Sequence, residues 1–142
     1  FIEKGMFVTG VDGSKNMLAY CQARFPGEEW IEADMRGLNL KRRFNAILAW
    51  HSLFHLDSDS QRAMFEVFST HLLSGGILAF TSGDEAGEIW SDNGGQQLYH
   101  ASLSTAEYEK LLSAYSFKIL AHKVRDPDCG DATIWIAKLL HT

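Results

Sequence analysis

FKILAHKVRDPDCGDATIWIAKLL, residues 117–140, stands near the C-terminal end of the sequence, and it decides the fold. Two apolar runs, FKILAHKV and ATIWIAKLL, are separated only by the polar loop RDPDCGD. No helix fits between them, so the two strands must run antiparallel as a hairpin. Upstream, apolar runs alternate with capped helical segments, the pattern of an open α/β sheet with parallel strands. A sheet that begins with parallel strands and ends in a helixless hairpin has the hairpin at one edge.

Outward from that hairpin, Ser104 and Glu107 have capping-box spacing ahead of a helix carrying Tyr108, Leu111, Leu112 and Tyr115. GEIWSDNGGQQLYHASL (87–103) reads as two short strands around an Asn-Gly-Gly turn. ILAFTSG (77–83) is a buried strand preceded by Gly75 and Gly76, which stop a helix that presents Met64, Phe65, Val67, Phe68 and Leu72. Ser58 and Gln61 have capping-box spacing at that helix's start. AILAW (46–50) is a continuous apolar run, the mark of a strand covered on both faces at the centre of a sheet.

At the other end, FIEKG reads as a helix tail closed by Gly5, followed by a strand over residues 6–12. Ser14 caps a helix with Met17, Leu18, Cys21 and Phe25 on one face, ended by Pro26 and Gly27. A strand at Trp30–Ala33 leads into Asp34. The expectation is a single α/β domain over residues 1–142: an open, mostly parallel sheet with helices on both faces and a C-terminal antiparallel hairpin.

Composition narrows the class. With 46% hydrophobic and 22% charged residues the chain matches ordinary globular proteins, so a soluble, cytoplasmic protein is expected. No apolar run approaches the roughly 18 residues of a spanning helix, so no membrane partner is expected. The net charge of -5 and the single basic cluster Lys41-Arg42-Arg43 give little footing for a phosphate backbone, so nucleic acid is not expected as the main partner. Cys21 and Cys129 lack metal spacing and read as reduced thiols.

The succession VTGVDGSKNML (8–18), IEADMRGL (31–38), FNAILAWHSLFHL (44–56), SGGILAFTSG (74–83) and the closing helix and hairpin resembles the small class I methyltransferases that use S-adenosylmethionine. The resemblance covers the chain from Met6 onward and implies a Rossmann-like fold with S-adenosylmethionine as cofactor. By that likeness Asp12 would bond the ribose hydroxyls, with Gly13 and Ser14 beside it. A carboxylate suits the task because it accepts from two hydroxyls at once. A turn or capping aspartate is the plainer role for Asp12. Met17 would pack on the adenine, or be an ordinary core methionine. Asp34 would accept from the adenine amino group, with Met35 alongside. Ala49 and Trp50, ending their strand, would line the methionine half of the cofactor.

His51, His55 and His100 are candidates for a general base, at most one of them filling the role, because histidine titrates near neutrality. His51 and His55 have i, i+4 spacing, but without an accompanying glutamate or third ligand no metal is expected. Trp90, Tyr99 and His100, in the insertion at 87–103, are candidates for the wall that meets a small-molecule methyl acceptor. The competing readings are a nicotinamide-dependent oxidoreductase, whose nucleotide-binding half also sets an acid after its second strand, and a non-catalytic remnant or binding module. The resemblance also places a first strand and a glycine-rich loop ahead of residue 1. The sequence therefore reads as truncated at its N-terminus, and residues 1–142 alone are expected to be inactive and to bind cofactor weakly or not at all. Exposed strand edges would then favour a homodimer.

Overall fold

The structure, a computed structural model, describes residues 1–140. The chain divides into two compact units, Phe1–Leu38 and the remainder from Asn39 onward. In the first unit a 3₁₀ turn over Ile2–Lys4 ends at Gly5 in the left-handed region (φ 77°), as a glycine cap allows. Strand β1 (Thr9–Asp12) follows, then helix α1 (Lys15–Arg24) and strand β2 (Glu29–Glu32). Ser14 caps α1 by accepting from the Met17 amide at 3.4 Å. The two strands pair in parallel, with Asp12 opposite Glu32. Gly10 is required there, because a Cβ at that position would stand 2.2 Å from the Trp30 ring. Trp30 in turn donates from Nε1 to the Phe25 carbonyl at 3.0 Å, which holds the ring across β1.

The second unit is built on a four-stranded sheet. Strands β3 (Phe44–Ala49), β4 (Leu72–Ser82), β7 (Phe117–Asp126) and β8 (Ala132–Leu139) lie in the order β3-β4-β8-β7. β3 and β4 are parallel, while β8 is antiparallel to both β4 and β7. The terminal hairpin read from the sequence is present, with β7 at the edge and β8 inserted beside β4. β3 does not lie at the centre of this sheet; it forms the other edge, and Leu48 is half exposed. A run of apolar residues marks burial on both faces only when both faces are covered, and periodicity alone cannot report that.

Helix α2 (Ser58–His71) packs under the sheet with Met64, Phe65 and Phe68 buried. Its cap is Asp57 and not Ser58: the Asp57 carboxylate accepts from the Ser60 amide at 2.9 Å and from the Ser60 hydroxyl at 2.7 Å. Helix α3 (Thr105–Ala114) starts on the expected Ser104 cap, which accepts from the Glu107 amide at 3.2 Å. The core is aromatic. Phe80 stacks on Trp135 with centroids 5.8 Å apart and planes 2° from parallel, and Tyr108 sits 5.6 Å from both rings. Trp135 satisfies its indole by donating to Ser82 Oγ at 3.0 Å.

Between β4 and α3, strands β5 (Gly87–Asn93) and β6 (Gln96–Ser102) form a separate antiparallel ribbon. Gly94 and Gly95 both have positive φ (66° and 88°), which is what a two-residue hairpin turn demands.

Candidate functional site

In the first unit the candidate residues gather at the carboxyl ends of two neighbouring parallel strands. Asp12 ends β1, and its carbonyl accepts from the Ala33 amide at 3.2 Å, which brings the Asp34 loop alongside. Open α/β sheets place ligands at this end of their strands. Asp12 Oδ1 accepts from the Ser14 amide at 2.7 Å, so the carboxylate also serves as the turn residue its plainer role describes. Oδ2 takes no hydrogen bond among the described residues. Gly13 is exposed, with open space where a Cβ would stand, and Met17 is 53% exposed on α1. The apolar face read for α1 is therefore not a buried one.

Asp34 is gripped by a residue the sequence did not single out. Arg36 donates from Nε to both carboxylate oxygens at 3.0 Å, from Nη2 to Oδ2 at 2.6 Å, and from its backbone amide to Oδ1 at 2.9 Å. These bonds hold the Asp34 pKa at about 2, so it is ionised throughout the neutral range. Met35 is half-buried, and its carbonyl closes a turn with the Leu38 amide at 3.2 Å.

In the second unit, β3 delivers Ala49, which is buried, and the chain then turns through Trp50, which is 38% exposed, into His51. His51 is held at φ 47°, in the left-handed region, with its amide donating to Thr81 Oγ1 at 2.8 Å. A second 3₁₀ turn over Leu53–His55 follows, anchored by fully buried Leu53. It presents Phe54 and His55 to the ribbon. The Phe54 ring lies 5.3 Å from His100 and 4.8 Å from His55, while His55 and His100 are 4.8 Å apart. His55 Nδ1 also lies 3.1 Å from the Tyr99 carbonyl. Burial, aided by the facing His55 ring, pushes the His100 pKa below the ordinary histidine value, so the imidazole is neutral near pH 7.

Trp90 and Tyr99 form a cross-strand pair with centroids 5.1 Å apart. Successive side chains of a strand point to opposite faces. Trp90 and Tyr99 therefore occupy the face of the ribbon away from His100, and the three candidates for the acceptor wall do not share one surface. Their order in LYH already carried that alternation.

A cavity of about 520 Å³ opens beyond the end of β4. Its lining includes His51, Phe54, Asp84, Arg125, Asp131 and Thr133. Arg125 pairs with Asp84 through both Nε and Nη2 at 2.5 Å, and this pairing lowers the Asp84 pKa below the ordinary carboxylate range. His51, Arg125 and Asp131 all have positive φ (47°, 50° and 58°), three of the five non-glycine residues so placed among those described. Left-handed backbone at such residues costs about 1–3 kcal/mol each and clusters at functional sites. Asp84 and Arg125 are 41 residues apart, so no local pattern announces their partnership.

A family model described as a methyltransferase domain matches residues 1–76, more than half of the chain. No curated protein sequence matches. Among solved structures, an S-adenosylmethionine-dependent methyltransferase from Clostridium acetobutylicum is similar over 96% of this chain and 76% of its own, at 17% identity and a TM-score of 0.77. CalS10, an amino pentose methyltransferase from Micromonospora echinaspora, is similar over 94% of this chain and 74% of its own, at 18% identity and a TM-score of 0.75. The 1,6-didemethyltoxoflavin-N1-methyltransferase of Burkholderia thailandensis is similar over 99% of this chain and 64% of its own, at 21% identity and a TM-score of 0.76. Identities this low speak for the fold, and the family match carries the membership: the chain belongs to the methyltransferase domain family and has the Rossmann-like α/β fold of the class I S-adenosylmethionine-dependent enzymes.

Proposed function

We propose that the protein transfers the methyl group of S-adenosylmethionine to a small-molecule acceptor. The observation that carries this most is the placement of Asp12 and Asp34 at the carboxyl ends of adjacent parallel strands, within a chain of the methyltransferase family. Solved structures of similar fold are described with S-adenosylmethionine or S-adenosylhomocysteine bound, which supports the same cofactor here.

The residues fit that cofactor. Asp12 keeps Oδ2 available for the ribose hydroxyls while Oδ1 holds the turn, and Gly13 leaves room for a close approach. Asp34 has both oxygens on Arg36, but each carboxylate oxygen can accept more than one bond, so an amino proton can still be taken. Exposed Met17 offers an apolar surface to a purine, with Met35 beside Asp34. Ala49 and Trp50 end β3 in the second unit, Ala49 buried and Trp50 38% exposed.

The bound cofactor supplies a methyl group already activated on a sulfonium. The protein has to orient the acceptor, exclude water and, where the nucleophile carries a proton, remove it. We place the acceptor in the cavity beyond β4, where the Asp84–Arg125 pair and the Phe54 ring orient it. His51 is our choice for the base because it alone of the three histidines lines that cavity. His55 and His100 then act from behind Phe54, the aromatic of the acceptor wall, by packing against its ring, with Trp90 and Tyr99 on the outer face of the ribbon.

Equilibrium dialysis with methyl-labelled S-adenosylmethionine tests the cofactor half. Losing a hydrogen bond to a charged group costs about 1.5–3 kcal/mol, so Asp12→Ala should weaken retention by about 10- to 100-fold. Equal retention by the variant would remove Asp12 from the site.

A further inference from the structure

Gln61 is completely buried, yet it is a primary amide whose polar atoms are all engaged. Its Nε2 donates to the Leu56 carbonyl at 2.9 Å and to the Ala101 carbonyl at 2.9 Å. Its Oε1 accepts from the Tyr108 hydroxyl at 2.6 Å. Tyr108 is 1% exposed, and its oxygen also takes the Leu103 amide at 3.2 Å. Leu56 directly follows His55, and Ala101 directly follows His100. One planar group thus grips the backbone next to each histidine, across segments with no local connection in the sequence.

A buried polar group persists against an apolar one of like size only where its bonds are complete, and complete networks fix geometry. An apolar side chain at position 61 would fill the same space and leave two carbonyls unbonded. The carboxamide adds a set distance between the turn that carries Phe54 and His55 and the end of β6 that carries His100. We propose that Gln61 is a positioning residue for the acceptor wall: by holding the Leu56 and Ala101 carbonyls it sets the packing of Phe54 and His55 against His100. Its bearing on turnover rests on the placement of the acceptor in the adjoining cavity, but the geometry it controls can be read without any acceptor.

His100 reports that geometry. Phe54 and His55 face it from the 3₁₀ turn, and Ser91 Oγ on β5 lies 3.5 Å from its Nδ1, so His55 is the titratable group against it. The test follows the imidazole resonances of His55 and His100 by NMR from about pH 5 to about pH 8, the range in which histidine changes charge. In the wild type His100 should titrate below the ordinary histidine value and respond to His55. Gln61→Met should raise the His100 midpoint by about half a pH unit, a threefold change in proton affinity, and remove the ring-current shift that Phe54 imposes. Tyr108→Phe breaks the same network away from the two carbonyls; it should lower the thermal midpoint while leaving the His100 titration in place.

An unchanged His100 titration in folded Gln61→Met would overturn the proposal, as would an equal shift in Tyr108→Phe. If Gln61→Met does not fold, the two side-chain amide protons of Gln61 in the wild type decide. They should move with the His100 midpoint, and insensitivity to it would overturn the proposal. Failure of the methyl-transfer reading appears instead on the first unit, as saturable shifts with NADH and none with S-adenosylhomocysteine, so the two failures are told apart.

Discussion

The rings of His55 and His100 face one another at 4.8 Å between centroids, tilted by 33°, although one comes from a 3₁₀ turn and the other from a strand of the ribbon. Partial burial of His100 disfavours its protonated form, and the facing His55 imidazole adds repulsion when both rings hold a proton. The folded-state pKa of His100 is therefore lower than in the unfolded chain, so the unfolded chain binds more protons over that interval. The contribution to stability is fully present above the unfolded value of about 6.5 and declines as the pH falls below it. Urea unfolding at about pH 7.5 and about pH 5.5 should show the loss, and His100→Gln should flatten it.

Asp34 should titrate near 2, held there by Arg36. Carbon-detected NMR of its carboxyl group in Arg36→Gln should find the pKa raised toward the usual aspartate value of about 3.9. Because the folded pKa is depressed, the linked stabilisation is present at neutral pH and lost only as pH falls toward 2. Both partners are exposed, so solvent screens the pair and Arg36→Gln should lower the midpoint of thermal unfolding at neutral pH only slightly.

Gly10→Ala should destabilise the β1–β2 pairing, since the new methyl meets the Trp30 ring at 2.2 Å. Overpacking of this kind costs about 1–3 kcal/mol. Thermal unfolding should show a lower midpoint, and Trp30→Leu in the same chain should recover part of the loss. A loss in the double variant equal to the sum of the two single losses would contradict the steric origin.

Trp135→Ala should be among the costlier single changes in the second unit. The indole is 1% exposed, stacked on Phe80 and bonded to Ser82. Large-to-small replacement of a buried aromatic costs about 3–5 kcal/mol, and here Ser82 Oγ also loses its donor. Denaturant titration followed by circular dichroism measures it.

The sequence announces what local chemistry determines. Ser14 and Ser104 cap their helices because serine before a helical run has few other uses, and Asn93-Gly94-Gly95 makes the ribbon turn because only such residues accept positive φ twice in succession. The terminal hairpin is legible because seven polar residues cannot house a crossover helix. Where two local solutions compete, the sequence does not choose: Asp57 outbids Ser58 as the cap of α2 and frees Gln61 for its buried bonds. Long-range partnerships are silent. Nothing near Asp34 marks Arg36 as its clamp over other nearby cations, and neither the Asp84–Arg125 pair nor the Gln61 network follows any periodicity. The split of His100 from Trp90 and Tyr99 was open to strand alternation, but their grouping by nearness in the chain obscured it.

The reading of this protein as a methyltransferase against a nicotinamide-dependent oxidoreductase turns on which ligand meets the ends of β1 and β2. Amide resonances of isotope-labelled protein, titrated separately with S-adenosylhomocysteine and with NADH, decide it even when binding is weak. S-adenosylhomocysteine should produce saturable shifts at Gly13, Ser14, Asp34 and Met35, with NADH leaving those resonances in place. Saturable shifts at these four residues with NADH, and none with S-adenosylhomocysteine, would contradict it.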